Sequence, residues 1–140
     1  MQLPIKAHYA TLAMLVLAGK YESREVQAAR QIAVEQSIPS QFLTQILQQL
    51  RSAGLVSSTR GASGGFYLER APQHITIGDI VDAVCPISQS MPLENSSPLS
   101  EVVSEVWQEL QSQQLALLER LTLADLLARC RDESSAMFYI

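Results

Sequence analysis

The chain has 140 residues, 47% of them apolar and 17% charged, which suits one packed domain with an appended helix and excludes a disordered chain. Two cysteines are too few for a disulfide scaffold, the run Leu12 to Ala18 is far shorter than the ~20 residues of a membrane span, and Met1 to Lys6 lacks a cleavable-signal pattern; a reducing, cytoplasmic setting is the default expectation. The net charge of −4 conceals an asymmetry: seven basic and four acidic residues up to Pro72, three basic and ten acidic after it, a front suited to a polyanion and a rear that avoids one.

In chain order, Pro4 suits an opening helical turn and Gly19 a stop. A first helix is predicted between them, with Ile5, Leu12, Ala13, Leu15 and Val16 largely buried. Ser23 reads as the N-cap of a second helix carrying Val26, Ala29, Ile32 and Ala33 to about Gln36. Ser37-Ile38-Pro39 breaks that pattern. A third helix follows, with Phe42, Leu43, Ile46, Leu47 and Leu50 as its apolar stripe and Gly54 at its end. Two such helices about three residues apart have helix-turn-helix spacing.

Leu55 to Thr59 and Phe66 to Leu68 read as short strands around the turn Gly61 to Gly65, a hairpin wing with Arg60 at its tip. A short helix over Asp79 to Val84 follows, with Asp79 or Asp82 as its cap; His74, before it, reads as structural. Pro86 to Pro98 reads as a loop. Leu99, Val103, Val106, Leu110, Gln113 and Leu117 form a coiled-coil-like seam, broadened by Val102, Trp107, Leu118 and Leu121. A long helix outside so small a domain needs a second copy to cover it. The expected dimer contacts are Val103, Val106, Leu110 and Leu117. A last short helix is expected from Leu123 to Arg129, and the apolar tail Ala136 to Ile140 packs on the partner or the domain. The expected organisation is a mainly α winged helix-turn-helix at 1–85, a loop at 86–98, and dimerisation and C-terminal helices at 99–140.

Ser40, Gln41, Thr44, Gln45, Gln48 and Gln49 lie opposite the third helix's apolar stripe. Glutamine pairs bidentately with adenine, and hydroxyls meet bases or phosphates. Arg51 suits a phosphate, Arg60 a narrow minor groove, and Lys6 with His8 the backbone. For catalysis there is no Gly-x-Ser-x-Gly, no His-Glu-x-x-His and no phosphate loop, since Gly61 to Gly65 lacks a following helix with lysine; no enzyme is expected. Cys85 has no cysteine or histidine beside it in the loop, and both Cys85 and Cys130 read as small hydrophobes.

These motifs resemble the bacterial winged-helix regulator family that includes IscR, NsrR and CymR. The resemblance is carried by Lys6 and Tyr9-Ala10, Ile38 to Leu47, Leu50 to Val56, Arg60 to Phe66, Ile75 to Ile80 and Leu121 to Leu126. It implies a homodimer on two-fold double-stranded DNA, with contacts at Lys6, Ser40, Gln41, Thr44, Gln45, Arg51, Arg60, Gly61, Gly64 and Gly65. Cluster-binding members have three closely spaced cysteines before the dimer helix. Pro86 to Pro98 has none, so no iron–sulfur cluster or other cofactor is expected. The family's usual glutamate in the recognition helix is Thr44 here, and its turn glycine is Ser37. Two rival readings of the same residues are a dimeric protein-binding adaptor on the same scaffold and a thiol or cluster sensor using Cys85.

Overall fold

In chain order the described residues form α1 (Ile5–Gly19), α2 (Ala29–Glu35), α3 (Ser40–Ser52), β1 (Val56–Thr59), β2 (Gly65–Leu68), a 3-10 turn (Pro72–His74), α4 (Ile77–Val84), α5 (Pro98–Arg120) and α6 (Leu123–Phe138). The computed structural model describes residues 4–86 and 97–138, with side chains up to residue 133. Residues 87–96 of the expected loop, and the tail side chains at 136–140, lie outside the described residues. Among the described residues no helix is long and apolar enough to cross a membrane.

Helix α1 is the central post, packing on α3, α4, α6 and β2. It buries Ala7, Ala10, Ala13, Met14, Leu17 and Ala18. The alanines let neighbouring backbones approach closely, so the buried face is narrower than its apolar content suggests. Ile5 is 56% exposed, and Leu12, Leu15 and Val16 are only partly buried, against the expectation of a largely buried helix.

The second helix starts at Ala29, well after the expected N-cap. Ser23 sits in a turn, its hydroxyl donating to the Lys20 carbonyl. Gln27 is extended and exchanges two backbone hydrogen bonds with Phe66, of 2.9 and 2.8 Å. A pairing with a residue so far along the chain leaves no periodic trace near Ser23.

Both helices of the helix-turn-helix end in the same way. At α3 the Gly54 amide donates to Arg51 and the Leu55 amide to Leu50, with Gly54 at φ +78°. At α2 the Ser37 amide donates to Val34 and the Ile38 amide to Ala33, but the left-handed residue is Ser37, at φ +54°. A side chain in that region is strained where glycine is not. Ser37→Gly is therefore expected to raise the unfolding free energy by about 1 kcal/mol. In urea melts this appears as a higher midpoint at unchanged slope; a lower midpoint would contradict it.

Leu43, Ile46, Leu47 and Leu50 of α3 are at most 1% exposed, and truncating any of them would cost about 2–5 kcal/mol. Phe42, expected in the same stripe, points outward at 46% exposure. The wing strands pair antiparallel from Val56 with Leu68 to Thr59 with Gly65.

Helix α4 starts two residues before the expected Asp79, because Thr76 is its N-cap. The Thr76 hydroxyl accepts from the Asp79 amide while the Asp79 carboxylate accepts from the Thr76 amide, each at 3.0 Å. Thr122 and Asp125 repeat this arrangement at the start of α6. There the Thr122 amide and hydroxyl hold the Asp125 carboxyl below its ordinary pKa of 3.8, with Arg129 adding to the effect. A depressed carboxylate stabilises the fold above its unfolded pKa. That contribution is lost as the pH falls through the lowered value.

Helix α6 runs to Phe138, beyond the expected end at Arg129. It returns to pack on α1 and the 3-10 turn, with Leu123 fully buried. Helix α5 buries no residue at all. Leu118 and Leu121, expected to broaden its outer seam, pack against the body instead.

Candidate nucleic-acid interface

Helix α3 presents Ser40, Gln41, Phe42, Thr44, Gln45, Gln48 and Arg51 to solvent. The strong segregation of apolar from polar side chains turns one face inward and leaves this one free. The Thr44 hydroxyl donates to the Ser40 carbonyl at 3.0 Å, so its remaining capacity outward is as an acceptor. Gln49 departs from the expected polar face. It is half-buried, and its Oε1 has no hydrogen-bond partner.

Pattern reading missed Phe42 as an outward-facing group. Its ring lies 6.2 Å from that of Tyr9, tilted 55°, which ties the start of α3 to α1. An exposed phenyl among hydroxyl and amide groups is suited to a thymine methyl. The signal in the sequence is small: Phe42 sits one residue before the buried Leu43, on the edge of the stripe.

The wing follows α3 in the chain and is anchored to it: β1 packs on α3, and Leu55 and Val56 are both buried. Arg60 is exposed at its tip, and Gly61 turns the chain at φ +110°. The Gly64 amide donates to the Gly61 carbonyl and the Gly65 amide to Thr59 Oγ1. A Cβ on Gly64 would lie 2.3 Å from the Thr59 carbonyl oxygen, and one on Gly65 2.6 Å from that of Gln27. Gly65 is buried. Its place is in the seam between wing and body, which removes it from the surface a duplex can reach. Gly61 and Gly64 remain at the tip with Arg60.

Lys6 is half-buried in the first turn of α1. The ion pair found among the described residues joins Lys20 to Glu25 at 3.5 Å, which leaves Arg51 and Arg60 without a carboxylate. Opposite charge is abundant on α5 and α6 but absent from α3. Exposed, unpaired guanidinium groups together with an amide-bearing helix are the side-chain types suited to phosphates and base edges.

The profile of the Rrf2 family, described as an iron-dependent transcriptional regulator, matches residues 3–129. The chain belongs to the Rrf2 family. The HTH-type transcriptional regulator CymR of Bacillus subtilis is 34% identical over 142 residues, covering 100% of both chains. The solved structure of that global cysteine regulator superposes with a TM-score of 0.80 at 32% identity, covering 92% of this chain and 98% of the other. The structure of T. potens IscR superposes at 0.77 with 33% identity, covering 93% and 88%. The fold is thus that of the Rrf2 winged-helix regulators, and the chain is a bacterial DNA-binding transcriptional regulator of this family.

The family's description invokes iron, but this Rrf2 chain's donors do not fit a cluster held by three neighbouring thiolates. Cys85 is half-buried at the end of α4, Cys130 is exposed on α6, and residues 86–98 contain no cysteine. Among the described residues no three His, Cys, Asp or Glu side chains gather as a metal ion requires.

Proposed function

We propose that the protein is a homodimeric, sequence-specific regulator that reads two-fold sites on double-stranded DNA. The observation that carries this reading is the outward amide face of α3 together with an exposed, unpaired Arg60 on the wing that packs on the same helix through β1. Helix α3 enters the major groove, where Gln41 and Gln45 read adenine edges, Ser40 and Thr44 meet bases or phosphates, and Phe42 covers a thymine methyl. Arg51 and Lys6 hold phosphates. Arg60 enters the adjacent minor groove, where a narrow A·T tract strengthens the negative potential.

Dimerisation is supported by α5. Twenty-three residues of helix, about 34 Å of rod, include no fully buried residue, while Val103, Val106, Trp107, Leu110 and Leu117 stay exposed. A second copy packed on that face gives a two-fold pair of α3 helices, expected to read half-sites about 34 Å, one turn of duplex, apart. The donor set supports a regulator working without a three-cysteine cluster.

Three cations per protomer, two on phosphates and one in the minor groove, displace about six counterions per dimer, hence a slope near −5 in log affinity against log salt. Arg60→Ala is expected to weaken specific binding about tenfold and reduce that slope by about 2, with the dimer intact. Fluorescence anisotropy on a selected site across a salt series reads both. An unchanged affinity and slope would remove the wing from the mechanism.

A further inference from the structure

The corner where α5 meets α6 is stitched to the segment leading into α4. Thr76 and Thr122, the N-caps of α4 and α6, face each other in an isolated antiparallel bridge. The Ile77 amide donates to the Leu121 carbonyl at 2.9 Å, and the Leu123 amide to the Ile75 carbonyl at 2.8 Å. Each threonine is also locked in a reciprocal cap with its own aspartate. The last turn of α5 then crosses α4 at Gly78, where a Cβ would lie 3.3 Å from the Leu118 carbonyl oxygen and 3.4 Å from its carbonyl carbon. Helix α5 has no other buried anchor.

We infer that this corner fixes the angle between the dimer rod and the DNA-reading body, and that Gly78 is the positioning residue which sets the half-site spacing. The inference rests on the two-fold reading above. Backbone, not a flexible side-chain tip, is what a side chain at Gly78 would meet, so the rod itself has to give way. A shift of roughly 0.3 Å across one turn of about 5.4 Å is a tilt of about 3°, which about 30 Å of rod converts into about 1.7 Å. The two-fold axis doubles that to about 3.4 Å, close to one base-pair step. Gly78 lies in the first turn of α4, where alanine has the better helix propensity, so Gly78→Ala should not weaken the fold.

The test uses the full-length protein and a series of duplexes carrying two identical half-sites whose centres are separated by 8 to 13 base pairs, a range chosen around one turn of roughly 10. Wild-type protein is expected to show one sharp optimum. Gly78→Ala should bind that optimum severalfold more weakly, and Gly78→Val at least tenfold more weakly, each with its preference displaced by about one base pair or flattened across the series. Sedimentation and thermal melts accompany each variant; if Gly78→Val does not fold, Gly78→Ala decides alone. A folded, dimeric variant that keeps the wild-type optimum and affinity overturns the inference alone, as does an equal loss at every spacing. A wild-type protein with no spacing optimum overturns the two-fold reading, and the inference falls with it.

Discussion

Val106→Glu combined with Leu110→Glu is expected to yield a monomer that retains its fold but binds a two-fold DNA site about 100-fold or more weakly. The two side chains are 52% and 47% exposed on α5, and neither belongs to the hydrophobic core or packs against it. In a dimer they would face their equivalents across the axis, where desolvated carboxylates in mutual repulsion are strongly unfavourable. Loss of the dimer forfeits the effective concentration that couples the two half-sites, a factor of about 10² to 10⁴. Analytical ultracentrifugation reads the mass, circular dichroism the retained helices, and anisotropy the affinity. A double variant that remains dimeric would move the interface off α5. A monomeric variant with undiminished affinity would show that one half-site is sufficient.

Gly65→Ala is expected to have the second large effect, through the seam between wing and body. The Gln27 carbonyl would lie 2.6 Å from the new Cβ, and Gln27 and Gly65 both belong to paired backbone. Neither can yield without breaking the Gln27–Phe66 bridge, so a loss of about 2–3 kcal/mol is expected, at the upper end for overpacking. Gly19 supplies the contrast, because nothing lies within 4 Å of a Cβ there. Gly19→Ala should leave stability unchanged or slightly raised. Urea denaturation of the two variants compares them directly. DNA affinity should fall with Gly65→Ala, since the wing that carries Arg60 is displaced. Equal midpoints for the two variants would show that the seam does not confine the wing.

What could be read from sequence is what local patterning encodes. The α3 stripe apart from Phe42, the Gly54 stop and, to within a residue, the two strands flanking a glycine-rich turn each lie within a window of about a dozen residues, and each is where local pattern places it. Long-range features escaped. The start of α2 depends on Gln27 pairing with Phe66, and the inward turn of Leu118 and Leu121 depends on the bridge between Thr76 and Thr122. The extension of α6 past Arg129 runs through Asp132, Glu133, Ser134 and Ser135, which carry no apolar period. At the candidate interface the cations and amides were legible from residue type. The outward Phe42 and the inward Gln49 were not, because each sits at the boundary of the stripe, where a small helical rotation decides the face.

Hydroxyl-radical and dimethyl-sulfate footprinting of wild type and Arg60→Ala on one genomic site tests the central geometry most directly. Two major-groove windows should be protected about one turn, or ~34 Å, apart, each flanked by a protected minor groove that becomes accessible in the variant alone. Protection confined to a single continuous minor groove, or minor-groove protection untouched by the variant, would contradict a helix and a wing reading neighbouring grooves of one duplex.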